Sequence, residues 1–123
     1  MRQFTLTGLI LLFFACGPAY DESELLGTWR AASVVEEGRP LQINPAAVQF
    51  EFMPDGKYRY RSTLNYQESG AYHLEQNLLV TRDTTSTAGL PKRVRILELT
   101  EDSLYLGMNE AGKARKMYLY RTK

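Results

Sequence analysis

Short runs of alternating hydrophobic and polar residues, separated by turn residues, cover the chain from residue 27 almost to its end. In residues 57–64, for example, Tyr58 and Tyr60 flank Arg59. Side chains of a β-strand point alternately to opposite faces, so a period of two is typical of a half-buried strand. Eight such runs are present, at residues 27–35, 47–53, 57–64, 68–75, 78–83, 92–99, 103–109 and 114–121.

These runs predict an all-β domain over residues 25–123. Eight antiparallel strands with one apolar face each must bury those faces together and protect their edges. An eight-stranded antiparallel up-and-down barrel does both, and the short connections between consecutive runs favour it. A sandwich of two four-stranded sheets needs the same pattern and is the alternative.

Some strand positions are less well defined by the pattern. Simple alternation places Leu64, Leu78 and Val80 among the inward side chains. In residues 92–99 the apolar positions fall on both faces, so the register of this strand stays open. Gly70 stands inside a run, which indicates a bend or a close backbone approach.

The chain begins with a segment that resembles a bacterial lipoprotein signal peptide. Residues 1–15 combine the basic Arg2 with an apolar stretch, and Cys16, the single cysteine, follows directly. The stretch is shorter than the roughly 20 residues that span a bilayer. The position three before the cysteine is Phe13, where the lipobox pattern usually has Leu. We predict that lipid is attached at Cys16, with an ordinary secretory signal or an uncleaved membrane stub as alternatives.

Residues 16–24 are interpreted as the lipidated tether. The protein is then expected outside the cytoplasm, where the lipid anchors it to a membrane. The outer membrane is the expected one, on either its periplasmic or its cell-surface face. Membrane contact would run through the N-terminal lipid only. Acidic residues in the tether resemble the surface-export signal of Bacteroidetes-type lipoproteins, and a solvated linker is the alternative reading.

Charge and composition argue against nucleic-acid binding. The formal net charge is +1, and removing Arg2 with the leader leaves equal numbers of basic and acidic residues. Nucleic-acid-binding domains usually carry a basic face. Strand alternation also sends Tyr58 and Tyr60 to the face opposite Arg59, whereas single-strand binders need rings and phosphate contacts on one surface.

No motif in the chain points to catalysis. His73 is the single histidine and shares the phase of Ala71 and Glu75, so we expect it on the outside of the barrel. One histidine without matching carboxylates does not make a typical zinc site. The sequence contains neither a Gly-x-Ser-x-Gly nucleophile elbow nor a glycine-rich phosphate loop. We expect no enzymatic activity, no metal and no cofactor.

The start of the first run, Gly27-Thr28-Trp29, resembles the Gly-x-Trp signature of lipocalins and of small bacterial lipocalin-like lipoprotein domains. Further segments fit in the same order, at residues 50–58, 70–72 and 99–104, and a final strand ends in Arg121. The resemblance spans essentially the whole domain. It implies that Trp29 packs at the closed end of the barrel with Arg121 lying across it.

Function then depends on the interior, since eight strands enclose a space that side chains just fill or that holds one small ligand. The main prediction is that a small apolar or amphiphilic molecule binds between the strands, beneath a lid at residues 36–45. The predicted ligand-binding residues are Tyr58, Tyr60, Tyr72, Phe50, Phe52, Leu104 and Leu106. The alternative is a filled barrel without a ligand pocket that serves as an interaction module. In that case the protein would be an inhibitor or a subunit of an adhesion or other complex, with an envelope protein as its partner.

Overall fold

The protein is built almost entirely of β-strands, as the alternation predicts. The computed structural model describes residues 19–85 and 90–122. The strands are β1 (Gly27–Glu36), β2 (Arg39–Pro40), β3 (Gln49–Phe52), β4 (Lys57–Arg61), β5 (Gln67–Glu75), β6 (Leu78–Asp83), β7 (Pro91–Leu99), β8 (Ser103–Glu110) and β9 (Lys113–Arg121). Two single 3₁₀ turns, at Glu22–Glu24 and Pro45–Ala47, precede β1 and β3.

The strands close into an antiparallel up-and-down barrel. From β3 to β9 each strand pairs with the next, and β1 pairs with β3 on one side and β9 on the other. The closing β1–β9 pairing runs from Trp29 opposite Arg121 to Glu36 opposite Arg115. The two-residue β2 pairs with the end of β1 outside this ring, so the barrel has eight strands and the predicted fold is confirmed.

The two ends of the barrel differ. The end that we call the closed end carries the turns after β3, β5 and β7, together with the Glu22–Glu24 turn, where Glu22 accepts a hydrogen bond from the N–H of Leu74 at 3.2 Å. Asp21 caps that turn in a reciprocal capping box with Glu24, which satisfies backbone N–H groups that the turn leaves free. The backbone N–H of Tyr20 donates to the carbonyl of Gln76 at 3.5 Å, so the chain enters the domain here.

The opposite end, which we call the open end, carries the loops after β1, β4, β6 and β8. The predicted lid begins with a tight hairpin from β1 into β2. Leu41 and Ile43 then pack against the core, and the N–H of Leu41 donates to the carbonyl of Val34 at 2.9 Å. The segment therefore folds down onto the barrel.

A β-bulge decides which side chains of β7 face inward. In β7 the register shifts between Ile96 and Glu98, so Ile96 and Leu99 are both buried while Leu97 is 43% exposed. An extra residue in one strand changes the alternation locally. The sequence left the register of residues 92–99 open, and the bulge explains why: Val94 and Ile96 face inward before it, and Leu99 faces inward after it.

Three inward assignments made from simple alternation are wrong. β4 ends at Arg61, and Leu64 lies in the following turn with φ 60° and 98% exposure. In β6 the central core contact is made by Leu79, whereas Val80 is buried outside the core cluster and Leu78 is half-buried. Because residues 78–80 are all apolar, the sequence does not show which of them faces inward. The pairing of Leu79 with Leu74 and Val94 sets the inward face of this strand.

Cys16, the predicted site of lipid attachment, and the predicted leader lie outside the described residues. Within residues 19–85 and 90–122, no helix is long and apolar enough to cross a membrane.

Candidate functional site

Aromatic rings fill much of the barrel interior on the β3–β5 side. Phe50 lies 4.6 Å from Tyr60 and 5.4 Å from Phe52, and Phe52 lies 5.0 Å from Tyr72, measured between ring centroids. These distances are those of stacked and edge-to-face pairs, which stabilise a packed core. The structure therefore brings four of the predicted ligand-binding residues into contact with one another.

The two buried tyrosine hydroxyls both have protein partners. Tyr58 donates to the Glu68 carboxylate, and Tyr72 donates to the backbone carbonyl of Met53 at 3.2 Å. Burial raises the pKa of both phenols above its ordinary value, and in Tyr58 the hydrogen bond to Glu68 adds to this effect. Because each hydroxyl already donates its hydrogen within the protein, neither has a donor left for a ligand.

The remaining predicted ligand-binding residues also belong to the core or its edge. Leu104 and Leu106 are fully buried on β8, opposite Leu119 and Met117 of β9. Tyr60 is half-buried near the open end, between the rings of Phe50 and Tyr66. These side chains therefore take part in core packing or lie at the edge of the core.

A buried carboxylate lies at the open end of this aromatic cluster. Glu68 accepts hydrogen bonds from Tyr58 and, at 2.7 Å, from Tyr66, and the Nζ of Lys92 lies 3.2 Å from its Oε1. The hydrogen bond to Glu68, more than burial, raises the pKa of Tyr66 to about 12. A charge can stay buried when it is paired and hydrogen-bonded, and this one has three partners.

The sequence analysis missed Glu68, although a signal was present. Glu68 stands two residues before Gly70 and four before Tyr72, so strand alternation places it on the inward face of β5. Its partner Tyr66 is only two residues away, whereas Lys92 comes from β7, which does not pair with β5, so only the folded sheet brings Lys92 to Glu68.

Trp29 and Arg121 meet at the closed end. The guanidinium carbon of Arg121 lies 4.2 Å from the centroid of the fully buried indole of Trp29. The indole N–H donates to the carbonyl of Leu25 at 2.8 Å. Arg121 donates to the carbonyls of Glu101, Leu26 and Glu24, so one side chain links the last strand to the segment that leads into the first.

The outer face of the barrel carries an aromatic patch, formed by Leu97, Tyr105, Tyr118 and Tyr120. Leu97 and Tyr120 are 43% and 44% exposed. Tyr105 and Tyr118 are directly paired across β8 and β9, and their ring centroids are 4.8 Å apart. Leu97 lies against Gly107, where an added Cβ would be 3.3 Å from the leucine side chain. We call these four residues the outer aromatic patch.

A polar cavity of about 570 Å³ lies elsewhere on the outer surface. It is lined by Gln49, Glu51, Arg59, Tyr60, Arg61, Gln67, Glu68, Ser69 and Thr85. Most of these residues alternate with the inward side chains of β3, β4 and β5, which places the cavity on the outer face of these strands. We call it the outer polar groove. A smaller cavity of about 150 Å³ lies on the outer face of β5–β7 and includes His73, which is exposed and hydrogen-bonded to Glu75.

Comparison with solved structures finds the same fold. The chain is similar to a lipocalin-like protein from Bacteroides uniformis ATCC 8492, with a TM-score of 0.62 and 15% sequence identity over 80% of this chain and 99% of that one. It is also similar to an uncharacterized protein from Bacteroides eggerthii DSM 20697, with a TM-score of 0.55 and 13% identity over 79% and 98% of the two chains.

The sequence itself matches no protein-family model and no curated protein. Identities of 13% and 15% carry fold information only. Together with the closed eight-stranded barrel, these structural matches show that this chain has a lipocalin-like fold.

Proposed function

We propose that this chain is a lipid-anchored envelope protein whose filled barrel acts as an interaction module, holding a protein partner on the outer aromatic patch. The observation that carries the proposal is the combination of a packed aromatic interior with an apolar patch on the outside. A contiguous exposed apolar patch rimmed by polar residues is typical of a protein-interaction site.

The interior supports this function better than the binding of an enclosed apolar molecule. Phe50, Phe52, Tyr60 and Tyr72 contact one another, and the hydroxyls of Tyr58 and Tyr72 have protein partners. A ligand that entered between the strands would have to separate these rings and replace the hydrogen bonds. Both steps cost free energy, and an apolar ligand cannot offset this cost because it forms no hydrogen bonds with the exposed hydroxyls.

The chemistry of the patch indicates the partner. Tyrosine supplies large contact area with few rotatable bonds, and it is enriched together with arginine among residues that dominate binding energy. Basic residues lie beside the patch: Arg30 is paired with Tyr120, and Arg95 and Lys116 are each paired with Gly107. Glu98, which is paired with Tyr105, is an acidic neighbour of the patch. We therefore propose a protein partner with an apolar centre and an acidic rim.

The anchor leaves the patch accessible. Tyr20 is hydrogen-bonded to Gln76 at the closed end, and Cys16 precedes it by only four residues, a reach of about 14 Å when extended. A lipid on Cys16 would hold the closed end near the membrane and leave the sides of the barrel in water. We propose an outer-membrane location, and we expect Cys16→Ala to abolish partition into detergent. Partition equal to the wild type would contradict the anchor.

Site-specific photo-crosslinking in intact cells tests the interaction. A photoreactive phenylalanine analogue replaces Tyr120 in the patch or, as the control, His73 on the outer face of β5. We expect a discrete adduct with another protein from position 120 and none from position 73. Leu97→Glu should reduce the adduct, because a carboxylate in the patch repels an acidic rim and resists burial.

Three results would contradict the proposal. They are the absence of an adduct at position 120, equal adducts at both positions, and an adduct with the mass of two copies of this chain. Mass spectrometry of organic extracts of the natively purified protein tests the filled interior separately, since a recurring stoichiometric small molecule would favour the enclosed-ligand alternative.

A further inference from the structure

We propose that the outer polar groove binds a small organic anion that also carries hydroxyl groups, such as a sugar acid. This inference is independent of the proposed protein partner, because the groove lies on β3–β5 and the outer aromatic patch lies on β7–β9.

The strand register arranges the groove as two parallel rows of polar side chains. Glu51 is paired with Arg59, and Arg59 with Ser69. Gln49 is paired with Arg61, and Arg61 with Gln67. Because residues directly opposite each other in a sheet have Cβ atoms about 5 Å apart, six hydrogen-bonding side chains lie within one small area.

The row between these two consists of Phe50, Tyr60 and Glu68, which are also paired in register. Their side chains take part in the interior contacts described above, so the middle row offers little side-chain bulk on the outer face. At one edge the N–H of Thr84 donates to the carbonyl of Ser69 at 2.9 Å, which brings Thr85 to the groove. The resulting volume, about 570 Å³, is within the range of about 300–1,000 Å³ of small-molecule sites.

The charges of the groove favour an anion. Arg59 is paired with Glu51 at 3.3 Å. The guanidinium of Arg61 has no hydrogen-bond or ion-pair partner in the described part of the chain, so it remains uncompensated. Glu68 directs its carboxylate inward to Tyr58, Tyr66 and Lys92 and has no free charge to offer on this face. A planar guanidinium binds a carboxylate through two parallel hydrogen bonds.

The remaining donors and acceptors favour hydroxyl groups on the same ligand. The amide of Gln67 has no side-chain partner in the described residues, and Gln49 uses only its Oε1, which accepts from Arg30 at 3.2 Å. Ser69 adds a hydroxyl. Amide and hydroxyl groups can donate to and accept from a sugar hydroxyl at the same time. Among the described lining residues only Tyr60 carries a ring, and it packs inside, so these residues offer no stacking platform for a nucleobase.

Amide chemical-shift titration of the full-length protein in detergent micelles tests the site. The probes are glucuronate, glucose and acetate at matched ionic strength. We expect saturable shifts of the Arg59, Arg61 and Gln67 amides with glucuronate in the millimolar range or tighter. Glucose and acetate should each bind at least about tenfold more weakly, because each lacks one of the two sets of contacts.

Two substitutions and one control complete the test. Arg61→Gln should weaken glucuronate binding at least about tenfold, because it removes the charged hydrogen bonds. Gln67→Leu should reduce the preference for glucuronate over acetate. Arg93→Gln, at an exposed position on the outer face of β7, should leave binding unchanged. Equal binding of acetate and glucuronate, equal binding of glucose, no saturable shifts, or an unaffected Arg61→Gln variant with native amide spectra would overturn the proposal.

Discussion

The guanidinium of Arg121 covers the indole of Trp29 at 4.2 Å and donates hydrogen bonds to three backbone carbonyls of neighbouring segments. Trp29 is near the start of the first strand, and Arg121 is the last residue of the ninth. This contact therefore joins the two ends of the barrel sheet at its closed end. Gly27 contributes by leaving space, because a Cβ there would be 2.8 Å from the Arg121 Nη1.

Removal of this contact should destabilise the protein. We expect Arg121→Ala to lower the free energy of unfolding by about 3 kcal/mol, because it removes a cation–π contact and hydrogen bonds from a charged donor. Arg121→Lys should recover less than half of the unfolding free energy that Arg121→Ala loses, since a lysine ammonium cannot reach three carbonyls as the fixed guanidinium fork does. Urea unfolding measures both variants. Arg95→Ala, at an exposed position, is the control and should change stability by less than about 0.5 kcal/mol. A lysine variant as stable as the wild type would contradict this role.

The bulge in β7 predicts opposite results for two adjacent apolar residues. Ile96 is buried and Leu97 is exposed on the outer face. Ile96→Ala should cost about 2–4 kcal/mol of unfolding free energy, as is usual for a truncated core side chain. Leu97→Ala should cost less than about 0.5 kcal/mol. Equilibrium urea curves with the slope unchanged would establish the difference, and equal losses would mean that the register of β7 is different.

Gly70 allows the end of β6 to cross close to β5. A Cβ at Gly70 would lie 1.8 Å from the backbone carbonyl oxygen of Arg82. Backbone held in a sheet ladder cannot move away easily, so we expect Gly70→Ala to destabilise the protein by at least about 3 kcal/mol or to prevent folding. Gly107→Ala is the matched control, because its Cβ would meet only the side chain of Leu97 at 3.3 Å. We expect a loss of about 1 kcal/mol or less there. Circular dichroism and urea unfolding compare the two, and similar losses would argue against the close crossing.

The hydrogen bond to Glu68 should control the titration of Tyr66. The pKa of Tyr66 is raised to about 12, so the folded state keeps this proton at a pH where the unfolded chain has lost it. The resulting stabilisation is complete below about pH 10 and is lost as the pH rises toward about 12. Glu68→Gln should move the Tyr66 pKa back toward about 10. Carbon-13 NMR of the labelled tyrosine Cζ measures the pKa, and no change in the variant would contradict the assigned hydrogen bond.

Much of the fold could be predicted from the chain alone. Alternation in Phe50, Phe52, Tyr58 and Tyr60 defines inward faces directly, because the strand period is two whatever the strand pairs with. Turn residues such as Pro54-Asp55-Gly56 separate the strands, and Gly56 has the positive φ of 80° that such a turn needs. The number of strands in the barrel and their order follow from these local signals.

Strand pairing in three dimensions decided which side chains face the interior and which partners they meet there. A bulge at Leu97 changes the phase of β7, and nothing in the local pattern distinguishes it from a change of register. Glu68 is inward by alternation and Tyr66 is only two residues away, but Lys92 comes close to it only in the folded sheet.

What the sequence by itself determined is the all-β class, the positions of the strands and the faces of those with a clean alternation, because these depend on the geometry of neighbouring residues along the chain. Only the tertiary structure decided that the aromatic rings contact one another, that the buried hydroxyls have partners, and that the outer aromatic patch and outer polar groove exist. Those features join residues far apart in the chain, and the register of strand pairing sets their distances.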